Sequence, residues 1–214
     1  MSRPEPPPTV FLVDDDAAVR SALKRGLAAS GFSVRAWASA DAFLAEHDPE
    51  LPGCLVADVA MPGMSGLELQ SVLAARGCLR PIVFVTARGS IPMSVQAMRA
   101  GAVTFLSKPV RLADLVAAVR EAFERDRRVR EEQRMRSDVE SRLTALTARE
   151  REVLELIVVG KLNKQIAAAL GAAEKTIKVH RGRVMAKLQV RSVAELVTLT
   201  ARVAKSTGHS SRAG

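Results

Sequence analysis

Apolar residues follow two rhythms along the chain. Short runs rich in Val, Phe and Leu occupy Thr9 to Val13, Ser33 to Trp37, Cys54 to Ala57, Ile82 to Val85 and Val103 to Leu106. Each is too short for a helix and reads as a strand. Between them the spacing changes to three and four, as in Val19, Leu23 and Leu27, or in Leu112, Leu115, Val116, Val119 and Phe123, the period of a helix with one buried face. Strand and helix alternate five times. Parallel neighbours need crossover connections, so the pattern predicts an α/β, doubly wound parallel sheet with helices on both faces. In such sheets chemistry sits beyond the carboxyl ends of the strands, where the strand order reverses.

After Phe123 the helical period runs on without Pro or Gly through Ser141, while apolar residues thin out and charges of both signs interleave. This predicts a helical linker over 125–143, either a solvated connecting helix or a short coiled coil through Val129, Met135 or Val139, and Leu143. Thr147-Ala148-Arg149-Glu150 then has the spacing of a capping box and opens a new apolar run. Gly160, Gly171 and the stretch from Gln189 to Arg191 divide the C-terminal part of the chain into four helices, near 148–159, 163–170, 174–188 and 192–203. The organisation is therefore a lead-in over 1–8, read as disordered from its four prolines, an α/β domain over 9–124, the linker, an all-α domain over 144–203, and a disordered tail over 204–214.

Length and composition agree with two soluble cores: 214 residues, 48% apolar and 26% charged. No apolar run approaches the roughly 18 residues of a membrane span, and no basic start leads into an apolar stretch, so a cytoplasmic chain without membrane contact is expected. Cys54 and Cys78 lack metal-like spacing; Cys54 reads as a small buried hydrophobe. The net charge of +9 is uneven: −1 over residues 1–124, +2 over 125–142 and +8 over 143–214. Such an excess on one compact segment attracts a polyanion, and nucleic acid is the usual one.

Candidate chemistry lies at the strand ends. Asp14, Asp15 and Asp16 follow the first strand and Asp58 the third. With strand order 2-1-3-4-5 these ends are neighbours, and carboxylates about 4 Å apart repel by about 4 kcal/mol per pair at an effective dielectric of 20. A hard divalent cation with oxygen ligands offsets this, and Mg²⁺ (or Mn²⁺) also bridges phosphoryl oxygens. Thr86 at the fourth strand end and Lys108, before Pro109, at the fifth add a hydroxyl and a cation. Nucleophile, metal, donor and cation together suit phosphoryl transfer onto Asp58. Asp16 reads as the cap of the first helix.

Residues 9–124 resemble a response-regulator receiver of the CheY-like, flavodoxin-like type. The resemblance rests on Asp14 and Asp15, Asp58, Thr86, Phe105 and Lys108-Pro109, with Thr86 28 and Lys108 50 residues beyond Asp58. It implies Asp58 as phosphoacceptor and direct Mg²⁺ ligation by Asp15, Asp58 and the Ala60 carbonyl, with Asp14 acting through water. It further implies Thr86 and Phe105 as switch residues and a cis Lys108-Pro109 bond. Ala60 is small and Arg88 long and cationic where the family varies, and both are expected to set how readily water reaches the phosphoryl group.

In the third helix of the C-terminal domain, Ile177, Val184 and Leu188 share one face, flanked by Arg181, and Lys175, Lys178, Val179, Gly182 and Ala186 the opposite one. A mid-helix Gly costs about 1 kcal/mol relative to Ala, so close approach to another surface gives Gly182 a reason. Two lysines, an exposed Val and two small residues suit a major groove, with Asn163, Lys164, Thr176, Arg181 and Arg183 at the phosphates; a solvated basic face is the plainer reading. Residues 144–203 are similar to the NarL/FixJ (LuxR-type) helix-turn-helix effector. The motifs are Leu146-Thr147-Ala148-Arg149-Glu150, Asn163-Lys164-Gln165-Ile166-Ala167 and Thr176-Ile177-Lys178-Val179-His180-Arg181. Glu174 and Ala172-Ala173 depart from the family's habit and bear on base preference.

Together the two resemblances imply a two-component transcriptional regulator. A sensor histidine kinase would phosphorylate Asp58, a homodimer would form, and double-stranded promoter DNA and RNA polymerase would be its partners. Two alternatives differ in class. An aspartyl-phosphate phosphatase typically carries a second acid two residues after the nucleophile, where this chain has Ala60. A receiver-controlled protein-binding module would use the C-terminal helices for docking without DNA.

Overall fold

The structure, a computed structural model, describes residues 7–87 and 91–207, with side chains up to residue 201. The lead-in before Pro7, Arg88 and the tail beyond Thr207 lie outside the described residues. The chain divides into two compact units between Arg130 and Glu131.

The first unit is a five-stranded parallel sheet, β1 (Thr9–Val13), β2 (Ser33–Trp37), β3 (Gly53–Ala57), β4 (Ile82–Thr86) and β5 (Thr104–Ser107), in the order β2-β1-β3-β4-β5. The helices α1 (Ala17–Ala29), α2 (Ala40–Glu46), α3 (Gly66–Ala75), α4 (Ile91–Arg99) and α5 (Leu112–Thr144) connect or follow the strands. Alternate residues of β1 feed different cores, because strand side chains alternate across the sheet. Phe11 and Val13 join Trp37, Phe43, Leu55 and Phe84 on one face. Val10 and Leu12 join Leu27, Val56, Leu115 and Val119 on the other. The central β3 and β4 are buried at every position, as a sheet covered on both faces requires. Cys54 is fully buried and its thiol pKa is pushed up by desolvation, as expected of an inert core residue.

Several expected boundaries move. β4 extends to Thr86, so that residue is part of the strand and not the loop after it. The α/β unit also does not end at residue 124. Asp126 is buried and accepts from Gly53 N (2.8 Å) and from Arg130 Nε (2.8 Å). Arg130 further donates to the carbonyl oxygens of Pro49, Glu50 and Leu51. The first turns of the expected linker are therefore part of the first unit, held by polar contacts that an apolar-period reading does not register.

The second unit contains the last turns of α5 and α6 (Ala148–Val158), α7 (Asn163–Leu170), α8 (Glu174–Lys187) and α9 (Val193–Thr207). Its core gathers Leu146, Val153, Ile157, Ile166, Ile177, Val184, Leu188 and Leu196. The capping box at Thr147 and Glu150 is formed. Gly171 ends α7 in the left-handed conformation, φ 62°. α9 passes the expected end at 203 and runs to Thr207, since no helix breaker occurs before Gly208.

Glu150 accepts from Lys187 Nζ at 2.6 Å and from Thr147 N at 2.9 Å, which tie the C-terminus of α8 to the start of α6. The Lys187 contact first, then the backbone N–H, hold its carboxyl well down, at about 2. A carboxylate with a depressed folded-state pKa stabilises fully above its unfolded pKa and loses that contribution as pH falls toward the folded value. In calorimetric unfolding, the Glu150→Gln protein is expected to be less stable than wild type at pH 7, with the gap closing as pH falls from about 4.5 to about 2. A gap independent of pH across that window would show that the ion pair contributes nothing.

Candidate functional site

The register of the central strands builds the site. Val13 lies opposite Ala57, so the next residues, Asp14 and Asp58, emerge side by side at the carboxyl edge, with Asp58 N bonded to Val13 O at 2.9 Å. On the far side, Lys108 N donates to Thr86 O at 2.8 Å, which places Lys108 just beyond the β4–β5 edge. Its ammonium then bridges the two acids: Nζ lies 2.7 Å from Asp14 Oδ2 and 2.7 Å from Asp58 Oδ2. Asp14 and Asp58 are buried and Asp15 is exposed. Carboxylate oxygens of all three lie within 4.8 Å of one another.

Three ionised carboxylates against one ammonium leave a charge of about −2 in a confined space, the complement of a divalent cation. Burial is the largest influence on Asp14 and raises its pKa, although Lys108 opposes the shift. Burial works against the charged Lys108, but its hydrogen bonds to Asp14 and Asp58 outweigh this and its pKa is raised. The ammonium is therefore held in place and charged. The residues fit a divalent metal.

An open cavity at this edge is lined by Asp15, Asp58, Ala60, Lys108 and Pro109, and closed on one side by Val19 and Leu23 of α1. Ala60 lines the cavity and donates its N–H to Asp58 Oδ1 at 3.0 Å. The Lys108-Pro109 bond is cis. Thr86 is fully buried, with Val85 and Ala87 rather than Thr86 at the cavity wall. Phe105 is half-buried, 6.2 Å from the Phe84 ring. Asp16 caps α1 through Ala18 N and Val19 N.

One residue here escapes a reading of the sequence. Arg20, on α1, donates from Nη1 to the carbonyl oxygens of Asp14 (2.6 Å) and Asp15 (3.1 Å). In sequence it is indistinguishable from any other arginine on a helix.

The second unit presents the expected helix face. Ile177, Val184 and Leu188 are fully buried, while Lys175, Thr176, Lys178, Val179, Gly182, Arg183 and Ala186 are exposed on α8. Val179 retains 49% exposure, so its methyl groups are open to a partner. Lys164 is exposed at the start of α7; Asn163 beside it accepts from Arg181 Nη1 at 3.2 Å, so both are half-buried and held as a pair. Ala173, before α8, provides no side-chain cap, which leaves the first N–H groups of that helix to other partners.

A Cβ on Gly182 would meet nothing within 4 Å. The Gly182→Ala protein is therefore expected to be more stable by about 1 kcal/mol, seen as a higher unfolding temperature. On a groove-facing helix the same methyl weakens duplex binding in fluorescence anisotropy. Increased stability with unchanged DNA affinity would argue against a groove-facing Gly182.

Known proteins divide in the same way. A family model of the response regulator receiver domain matches residues 10–120, and one of bacterial regulatory proteins of the luxR family matches residues 144–200. Nodulation protein W of Bradyrhizobium diazoefficiens is 44% identical over 200 residues, 94% of this chain and 88% of that one. Transcriptional regulatory protein FixJ of Azorhizobium caulinodans is 43% identical over 190 residues, 89% of this chain and 90% of that one. Among solved structures, that of the response regulator StyR is similar with a TM-score of 0.84 and 47% identity, covering 92% of this chain and 100% of that one. Among the described residues no helix is long and apolar enough to cross a membrane.

Proposed function

The chain belongs to the NarL/FixJ family of response regulators and is a phosphorylation-dependent transcriptional regulator with a LuxR-type DNA-binding domain, and from that premise we propose how its own residues carry the signal. Asp58 is the phosphoacceptor. The reading is carried by one observation: Lys108 Nζ bridges Asp58 and Asp14 at 2.7 Å each, at the mouth of an open cavity.

The incoming phosphoryl group leaves the phosphohistidine of the kinase as the P–N bond breaks, and a new O–P bond forms to Asp58. Lys108 is already charged and desolvated beside the nucleophile, so it neutralises developing charge on the phosphoryl oxygens without first ordering itself. Asp14 holds the ammonium during the exchange. Asp15, Asp58 and the Ala60 carbonyl would hold Mg²⁺ (or Mn²⁺), with Asp14 acting through water, and the bound ion supplies Lewis-acid neutralisation of phosphoryl charge. The small Ala60 leaves the cavity open to water, which favours self-dephosphorylation by hydrolysis of the acyl phosphate.

Phosphorylation replaces the single charge of the Asp58 carboxylate with about −1.5 to −2 on the acyl phosphate. Thr86, adjacent to the cavity but buried, turns its hydroxyl toward the new oxygens, and Phe105, half-buried, follows inward. The adjoining face, on α4, carries Ile91 at 81% exposure, with Val95 and Met98 also exposed. Apolar groups so exposed are what a self-associating face presents, which supports a homodimer on phosphorylation. A dimer places two copies of α8 on half-sites of promoter DNA. Lys175, Lys178, Val179 and Gly182 face the groove; Asn163, Lys164, Thr176, Arg181 and Arg183 stand at the phosphates. RNA polymerase is the downstream partner, and the cytoplasm is where kinase, DNA and polymerase meet.

Salt dependence tests the DNA half. A dimer that contacts roughly eight phosphates gives a slope of log K against log salt near −7. A slope near zero, together with capture of protein partners by the α8 face, would favour a docking module instead.

A further inference from the structure

We infer that Arg20 is a positioning residue of the acidic pocket: by gripping the two carbonyl oxygens that flank Asp15, it sets where the Asp15 carboxylate stands. The inference rests on the proposed binding of a divalent metal by Asp15 and Asp58.

Three consecutive acids follow β1, and two have their side chains held. Asp14 is fixed by Lys108 Nζ (2.7 Å) and by Asp16 N (3.0 Å). Asp16 is fixed by Ala18 N (2.8 Å) and Val19 N (3.1 Å). Among the described residues no hydrogen bond or ion pair reaches the carboxylate of Asp15, which is exposed. Its direction therefore depends on the backbone. The peptide planes on either side of its Cα determine φ and ψ, and these determine where Cβ points.

Both planes are held by one group. Arg20 Nη1 donates to Asp14 O at 2.6 Å and to Asp15 O at 3.1 Å. Its own backbone is tied to the same turn, Arg20 N to Asp16 O at 2.8 Å. Hydrogen bonds from a charged donor are stronger than neutral ones, and a partner that orients a metal ligand without touching the metal typically changes affinity 10- to 100-fold when removed.

A rival role makes the opposite prediction. If Arg20 acted only through its positive charge, removing it would relieve repulsion of an entering cation and tighten metal binding. Positioning predicts weaker binding. Lys in its place keeps the charge but ends one atom short of Nη1.

The test titrates Mg²⁺ into the full chain by calorimetry, with the emission of Trp37, the single tryptophan, as a second signal; the Trp37 carbonyl accepts from Asp14 N at 3.3 Å. Arg20→Gln is expected to bind Mg²⁺ on the order of tenfold more weakly than wild type, and Arg20→Lys to fall between. Unfolding temperatures without metal should stay close to wild type. Phosphoryl uptake from acetyl phosphate should recover once Mg²⁺ exceeds the new Kd. Equal or tighter Mg²⁺ binding by Arg20→Gln overturns the inference. If that protein does not fold, the affinity of Arg20→Lys decides by the same criterion. Wild type that binds no Mg²⁺ overturns the metal-binding reading as well as the role of Arg20, whereas wild-type binding with no loss in either variant overturns only the latter.

Discussion

Asp58→Asn is expected to abolish phosphoryl uptake while leaving the fold intact. The amide keeps one oxygen, enough for either the Ala60 N–H, which reaches Asp58 Oδ1 at 3.0 Å in the wild type, or Lys108 Nζ, which reaches Oδ2 at 2.7 Å. Lys108 keeps its second partner, Asp14, at 2.7 Å. No buried cation is orphaned, so stability should change little. What disappears is the nucleophile, together with one of three negative charges in the pocket, so Mg²⁺ binding weakens too. The protein would show no mass increase with acetyl phosphate and Mg²⁺. Its DNA affinity would stay at the basal level, because a ligand shifts an equilibrium only by its differential affinity for the two states. Label on the Asp58→Asn protein, or DNA binding that still rises on treatment, would place the phosphoacceptor elsewhere.

Gly66→Ala should lower both stability and the rate of phosphoryl uptake. Gly66 opens α3 directly behind the phosphoacceptor, and its N–H donates to Val59 O at 3.0 Å. A Cβ there would fall deep inside van der Waals contact with the carbonyl oxygen of Asp58 and lie 3.1 Å from the Phe84 ring. Neither neighbour can yield easily: one is backbone at the end of a buried central strand, the other is core. Overpacking of this kind costs about 1–3 kcal/mol. The displaced atoms belong to Asp58, so the turn that aims its carboxylate shifts as well, and a misplacement of about 1 Å at a reacting centre can cost about 100-fold in rate. Lower thermal stability and a labelling rate reduced by one to two orders of magnitude are expected. A Gly66→Ala protein that matches wild type in both would mean that the β3–α3 turn has slack.

Much of this site was legible because its signals are local. The acids at the ends of β1 and β3, the threonine at the end of β4 and the lysine before Pro109 each come after a short apolar run, and strand alternation places such ends on one edge. The α8 face was legible for a similar reason, since a period of 3.6 assigns Ile177, Val184 and Leu188 inward and leaves Lys178, Val179 and Gly182 outward. Boundaries were less accessible. The fourth apolar run stops at Val85, one residue short of the strand, because the strand's last hydrogen bond, Lys108 N to Thr86 O, comes from a residue 22 positions away. The end of the first unit was set too early because Asp126 and Arg130 are charged, and a reading that counts apolar residues assigns charges to solvent.

By itself the chain's pattern determined the class of fold, the division into two domains, the acidic pocket and the basic helix, because hydrophobic period, capping residues and charge balance act over a few neighbours or sum over a segment. Tertiary structure alone decided which polar groups meet. That Lys108 bridges Asp14 and Asp58, that Asp126 accepts from Gly53, and that Arg20 turns back onto the carbonyls of Asp14 and Asp15 depends on strand register and side-chain direction. Hydrogen bonds depend on distances good to a few tenths of an ångström, and such distances exist only once the apolar faces have packed.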